Sequence, residues 1–375
     1  MRTRLDSPPF PARFSNDSAP SRVIDADDAI RGTDDDALTS RLSALALGYI
    51  PLASDPFTPL LTRSGRAPPL HQIKRAPLIN VGTHHRSWAM DRLVEGWLGA
   101  GGKRQVVVLG AGSDSRFWRI KSSSPFAANL ATYIELDFPH ITSLKARRIS
   151  LNKTLASLIS RPETSPGEKP YTVSQGGTRL DGQGYHLVPL DLRQISSLES
   201  TLLPLLDTTL PTLFLAECLF CYMAPKESHA VIEWFGNVFG ADGAGGCMGV
   251  VYEMCGLDDS FGAVMKRNLM SRGIPLPGAT YKNPADQASR FLSAGYNYAE
   301  GMSMKQVRRD VIPKAELERI SKLEFLDEVE ELELVLEHYC VAWGVKVSSA
   351  KRSEIEQQPG GWQRFAGGLL GARNR

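Results

Sequence analysis

Five short apolar runs in the middle of the chain constrain its fold more than any other feature. They are QVVVLG (105–110), TYIELD (132–137), YHLVPLD (185–191), TLFLAE (212–217) and GCMGVVYE (246–253). Each ends at a glycine or an acid, and helical patterning separates them. Runs of this kind are buried on both faces, which predicts a parallel sheet with helices on each side. Such sheets bind ligands at the carboxyl ends of their strands. Gly110, Asp137, Asp191, Glu217 and Glu253 fall there.

A chain of 375 residues holds one large α/β domain with insertions, or two smaller domains. Its 42% hydrophobic and 22% charged residues are those of a soluble globular protein. A net charge of +2 gives no basis for a nucleic-acid or membrane-surface partner. No apolar stretch is long enough to span a bilayer. Residues 1–22, rich in Pro and Ser and without an apolar signal core, read as a disordered leader. The five cysteines, an odd number without a secretory signal, predict reduced thiols and a cytoplasmic location.

The first helix is expected from Thr33 as N-cap. Asp34 to Asp36 would fill its first turn, and Leu38, Leu42 and Leu45 would form its apolar stripe. A proline-rich connection leads to a second helix in GTHHRSWAMDRLVEGWLGAGG. There Met90, Leu93, Val94, Trp97 and Leu98 form a buried stripe. Arg86 continues that stripe inward by one turn. An inward guanidinium needs a partner, which makes Arg86 a candidate anion binder. Residues 160–184 read as a surface insertion. DDSFGAVMKRNLMSRG reads as a helix capped by Asp258 or Asp259. An acidic helix from 317 onward is expected to run into a last strand that carries His338, with the run Glu328 to Glu333 on a solvated face.

VVVLGAGSDSRFWRI is a strand, a Gly-x-Gly turn and a helix start. Gly110 and Gly112 permit a sharp turn and a close approach to a ligand. Ser115 stands where a dinucleotide fingerprint has its third glycine, and no Lys-Ser/Thr of a P-loop follows. The next strand ends at Asp137, 25 residues after Gly112, where an acid accepts hydrogen bonds from ribose hydroxyls. Together these point to an adenosine-type ligand without separating a nicotinamide cofactor from S-adenosylmethionine.

Several blocks resemble the leucine carboxyl methyltransferases: INVGTHHRSWAMD, VVVLGAGSDSRFWRI, YIELDFP, LAECLFCYM, DSFGAVMKRNL and LDEVEELELVLEHYCVAWG, in family order from about residue 25 to 345. The resemblance implies a Rossmann-like α/β fold with a seven-stranded sheet, N-terminal helical additions and a lid insertion. It implies one methyltransferase domain over 23–347, with a helical cap at 33–101, a substrate-side insertion at 258–300 and a loose tail over 348–375. The implied activity uses S-adenosyl-L-methionine, leaves S-adenosyl-L-homocysteine, and esterifies the C-terminal leucine of the type 2A protein phosphatase catalytic subunit. The expected partner is that subunit, with no nucleic acid, membrane or metal, and the chain is expected to be a monomer.

Residue by residue, the resemblance implies that Gly110 lies under the cofactor's methionine part and Asp137 binds its ribose. Asp191 and Leu192 read its adenine, and Glu217 lies near its amino group. Arg86 holds its carboxylate and borders the substrate tail. Arg41 stands where the family has a lysine that also reaches the carboxylate, and a planar fork is not equivalent to an ammonium.

A peptide α-carboxylate, with a pKa of roughly 3.3–3.7, is already ionised and needs no general base. Holding its oxygen in line with the methyl supplies roughly 7–11 kcal/mol in favourable cases. Arg86 and Tyr222 are the candidates for orienting it, Tyr222 as a hydroxyl donor or as a rim aromatic that only packs. Cys218 and Cys221, a Cys-x-x-Cys without a partner pair, read as fillers beside Glu217. His84 and His85, as neighbours on a helix, should point to different sides. A related O-methyltransferase acting on a small molecule or a tRNA wybutosine precursor, and a non-catalytic scaffold, remain as alternatives.

Overall fold

The computed structural model describes residues 26–62, 69–162, 169–327 and 329–367. The expected leader and residues 163–168 of the expected surface insertion lie outside them. Nine strands form one sheet: β1 (Arg104–Leu109), β2 (Leu130–Asp137), β3 (Thr172–Ser174), β4 (Arg179–Asp181), β5 (Tyr185–Pro189), β6 (Thr212–Glu217), β7 (Cys247–Met254), β8 (Tyr298–Ser303) and β9 (Tyr339–Lys346). Their order is β3-β4-β5-β2-β1-β6-β7-β9-β8. The five apolar runs are the adjacent parallel strands β5, β2, β1, β6 and β7. Strand β9 is antiparallel to both β7 and β8. The expected seven strands are therefore present, and two more extend one edge.

Alternation along the strands assigns the two faces. Val106 and Val108 of β1 belong to one core cluster, Val107 and Leu109 to the other. The first face packs α1 (Ala26–Ala46), α2 (Pro77–Gly99), α3 (Arg116–Ser123), α4 (Pro139–Leu151) and α5 (Lys153–Ile159). The second packs α6 (Ile195–Leu202) and α7 (Pro225–Phe239). The stripe Met90, Leu93, Val94, Trp97 and Leu98 of α2 is wholly buried.

Two helices follow β7. In α8 (Ser260–Ser271), Asp259 rather than Asp258 is the cap and accepts from the Gly262 N–H at 2.7 Å. Met265 and Leu269 pack with Cys221 and Met254, in the turn after β6 and at the end of β7. Helix α9 (Pro284–Ser293), by contrast, puts Phe291 into the core, so the expected 258–300 insertion includes a core element. Helices α10 (Met304–Asp310), α11 (Lys314–Ser321) and α12 (Val329–Glu337) then return to the α2 face. The expected single acidic helix is thus two, α11 and α12, and His338 sits one residue before β9 rather than on it. Its ring bonds the Leu334 carbonyl and the Asp259 carboxylate, which ties the α8 cap to the start of β9.

Three other expectations are corrected. Helix α1 is already helical from Ala26, so Thr33 does not start it, and Asp27 and Asp28 lie before Thr33 on the same helix. The Thr33 hydroxyl bonds back to the Ile30 carbonyl, and Asp34 to Asp36 lie inside the helix. Residues 169–184 are not a plain loop. Gly176 and Gly177, at φ +65° and +92°, turn a β3–β4 hairpin that adds to the sheet edge. The expected loose tail folds through Gly367 as α13 (Ser349–Glu356) and α14 (Gly361–Ala366). Trp362 stacks on Tyr298 and Phe365 meets Trp97 edge-on.

Candidate active site

The chain leaves β1 for β2 on one side and later returns to β6 on the other. The carboxyl ends of β1 and β6 are therefore a topological switch point, where open α/β sheets place ligands. Gly110 follows β1 and Glu217 ends β6. Gly110 adopts φ +64°, and a Cβ there would lie 2.9 Å from Leu219 Cδ1. Glycine is needed for the positive-φ turn, and any side chain there would press on Leu219.

An open cleft lies at this point, and Gly110, Asp137, Asp191, Leu192 and Tyr222 all line it. Ile30 of α1 lines it too. Arg193 fastens that helix to the rim, donating to Asp27 at 2.9 Å through both Nη atoms and to Asp191 at 2.9 Å through Nε. Asp137 accepts from the Gly112 and Phe138 N–H groups, each at 2.7 Å. Burial, reinforced by the nearby Asp34 carboxylate, outweighs those donors and lifts Asp137 to about 6. Asp34 itself reaches from α1 into the glycine turn, accepting from the Ser113 N–H at 2.7 Å and the Ser113 hydroxyl at 2.8 Å.

Beside the cleft lies a part-buried ion network centred on the buried Arg116. Glu217 accepts from Arg86 Nε at 2.8 Å and from Arg116 Nη2 at 2.9 Å. Burial would raise Glu217, but Arg116 and Arg86 outweigh it and hold it at about 2. Arg116 also binds Asp91 and Asp114, and Asp91 takes both ends of Arg119. The Arg86 guanidinium lies 5.0 Å from the Tyr252 ring, which stacks on Tyr339. Among the described residues, neither Arg86 Nη donates to a protein acceptor.

Arg41 stands one layer away. Its Nε donates to Asp55 at 2.7 Å and Thr58 at 3.2 Å, and its Nη1 to Ser87 at 2.8 Å. Tyr222 lies in the turn after β6, with burial lifting its phenol well above the ordinary value, so it keeps its proton. Its hydroxyl has no hydrogen bond to the described residues. In the same turn Cys218 has φ +51°, and burial lifts its thiol to about 12. A protonated thiol is a poor nucleophile and a poor metal ligand. His84 and His85 do not diverge as expected: their Nδ1 atoms are 2.9 Å apart, because Glu316 and Arg308 take the two outer ring nitrogens.

Residues 33–236 match the family described as leucine carboxyl methyltransferase. The chain is 50% identical over 344 residues to leucine carboxyl methyltransferase 1 of Cryptococcus neoformans var. neoformans serotype D, covering 86% of this chain and 94% of that one. It is 35% identical over 339 residues to the Bos taurus protein of the same name, covering 90% of this chain and 95% of that one. Identity above 30% over most of both chains decides the family. The chain belongs to the leucine carboxyl methyltransferases.

For this methyltransferase, five residues singled out from the sequence line the cleft and Arg86 lies beside it, whereas Asp34, Asp55, Asp91, Arg116 and Arg119 were not singled out. Arg116 and Arg119 carried a signal, being two cations one turn apart on a helix that opens from the glycine turn. Asp55 sits in a proline-rich connection without periodicity and carried none. Two features suit the family's cofactor. Gly110 lines the cleft with its backbone at φ +64°, and Arg41 Nη2 is buried without a hydrogen-bond partner among the described residues. The strand-end acid Asp137 and an unpaired cationic donor match a ribose and an amino-acid carboxylate.

Proposed function

We propose that this chain forms a methyl ester on the α-carboxylate of the C-terminal leucine of the type 2A protein phosphatase catalytic subunit. The observation that carries the reading is its identity, along nearly the whole chain, with leucine carboxyl methyltransferases of fungi and cattle. When bound, S-adenosylmethionine supplies an electrophilic methyl group on a sulfonium.

The chain's own residues then bind and orient. Asp137 accepts from ribose hydroxyls, and Asp191 with Leu192 borders the adenine. Glu217 keeps its charge because two guanidiniums hold it, and a carboxylate has further lone pairs to offer an ammonium. Arg86 uses only Nε on Glu217, so its Nη pair remains for a carboxylate. Tyr222, protonated and lining the same cleft, donates its hydroxyl to the incoming carboxylate. That carboxylate is the nucleophile and is ionised at neutral pH, so no residue has to remove a proton. The catalytic contribution is orientation, charge complementarity and exclusion of water.

Transfer of labelled methyl from S-adenosylmethionine to the purified catalytic subunit, but not to a form lacking its last leucine, is the expected result. Calorimetric binding of S-adenosylhomocysteine without transfer to the subunit would remove the substrate assignment and leave a methyltransferase of another substrate. Transfer to a small carboxylic acid alone would favour that alternative.

A further inference from the structure

Asp55 is fully buried and far from both cleft acids in sequence, yet it joins four elements. Its carboxylate accepts from Arg41 Nε of α1 at 2.7 Å and from the Thr58 N–H and hydroxyl at 3.1 and 2.6 Å. It also accepts the Ser115 hydroxyl at 2.9 and 3.0 Å, and Arg119 Nε stands 4.0 Å away. Ser115 is the N-cap of α3 but makes no side-chain cap bond, because its hydroxyl is turned to Asp55 instead. Arg41 in turn reaches Ser87, the residue after Arg86. Asp55 therefore fixes the Arg41 fork between the glycine turn and the turn of α2 that carries Arg86.

Of the three guanidinium nitrogens of Arg41, two are used and one is not. Among the described residues, Nη2 is buried with no hydrogen-bond partner. A buried cationic donor left unmet is unfavourable, and water, an ion or a ligand has to complete it. The remaining donor calls for an anion small enough to enter beside the glycine turn.

We propose that Asp55 is a positioning residue that holds Arg41 so that Nη2 meets the carboxylate of the cofactor's amino-acid end. The inference rests on the cofactor reading above and assigns the pre-organisation of that contact to a residue that touches no ligand. It also explains why arginine suits this position in this chain. A lysine has a single nitrogen and cannot serve Asp55, Ser87 and a ligand in fixed directions at once.

The test compares S-adenosylhomocysteine with its decarboxylated analogue, which lacks only the carboxylate, by calorimetry. The wild-type chain should bind S-adenosylhomocysteine about tenfold or more tightly than the analogue, the scale of one charge-assisted hydrogen bond. Asp55→Asn should lose most of that preference by weakening S-adenosylhomocysteine while leaving the analogue within about twofold. Should Asp55→Asn fail to fold, Thr58→Val removes the hydroxyl that touches both Asp55 and Arg41 and should reduce the preference in the same direction. A purely structural role would lower thermal stability and leave the preference intact, which overturns the proposal. A wild-type chain that binds both ligands equally overturns the clamp alone. A wild-type chain that binds neither overturns the cofactor reading, and this inference with it.

Discussion

Arg86 and Arg116 hold opposite oxygens of one carboxylate, with Arg86 Nε 2.8 Å from Glu217 Oε2 and Arg116 Nη2 2.9 Å from Oε1. The pair fixes Glu217 at the end of β6, and Glu217 is the acidic partner that Arg86 and the buried Arg116 share. Glu217→Ala should therefore cost about 3–5 kcal/mol of stability. It should also weaken S-adenosylhomocysteine by about tenfold or more, read by calorimetry on the folded fraction. Cys218→Ser, one residue on, should leave most activity, because its protonated thiol has no part in the network.

Tyr222→Phe keeps the ring and removes the hydroxyl. If the hydroxyl orients the substrate carboxylate, kcat should fall about tenfold or more while the Kd for S-adenosylhomocysteine stays unchanged. An unchanged kcat would make Tyr222 a packing residue.

Asp137 titrates near 6 in the free protein because burial and Asp34 oppose its charge. Its folded pKa is raised, so it opposes folding increasingly as pH rises from about 4 to about 6, with no further change above. Ribose hydroxyls need the carboxylate as acceptor, so affinity should fall as pH drops through about 6. A Kd series for S-adenosylhomocysteine across that range should show the loss, and Asp137→Asn should flatten it.

The His84–His85 pair has one consistent arrangement of protons. Arg308 can only donate, so His85 Nε2 accepts at 2.8 Å and its Nδ1–H donates to His84 Nδ1 at 2.9 Å. His84 Nε2–H then donates to Glu316 at 2.8 Å. Both rings are neutral, and burial lowers both below the ordinary histidine value, His85 the further. A depressed folded pKa means that stability is complete above about 6.5 and is lost as pH falls, because the unfolded chain takes up protons first. The slope approaches about 1.4 kcal/mol per pH unit for each histidine. Thermal melts should show a midpoint falling from neutral pH downward, with a shallower slope in His85→Gln.

Gly112 has φ +48°, and a Cβ there would stand 2.4 Å from Asp34 Oδ1. Gly112→Ala should destabilise by about 1–3 kcal/mol. In an Asp34→Ala background the penalty should shrink, since the two positions share one contact. Denaturant melts of the four proteins would measure that coupling.

The sheet was legible because burial on both faces writes continuous apolar runs, and each run ends within two residues of its strand's end. Arg86 was legible because it falls on a helical stripe whose other members are apolar. What was not legible is held by distant pairs. Asp55 meets partners 14 and 60 residues away, and Asp34 meets a serine 79 residues on, so no local period marks either. Thr33 and its acids mimic a helix start, yet α1 runs straight through them because nothing there breaks a helix. The β3–β4 hairpin escaped notice because strands of three residues are too short to show alternation.

The most direct test is the position of the methyl group. After incubation with S-adenosylmethionine, mass spectrometry of the phosphatase catalytic subunit should place one methyl on the C-terminal leucine carboxylate, as an ester released by mild base. A methyl group on any other residue, or none on a subunit incubated with cofactor-binding enzyme, would contradict the account.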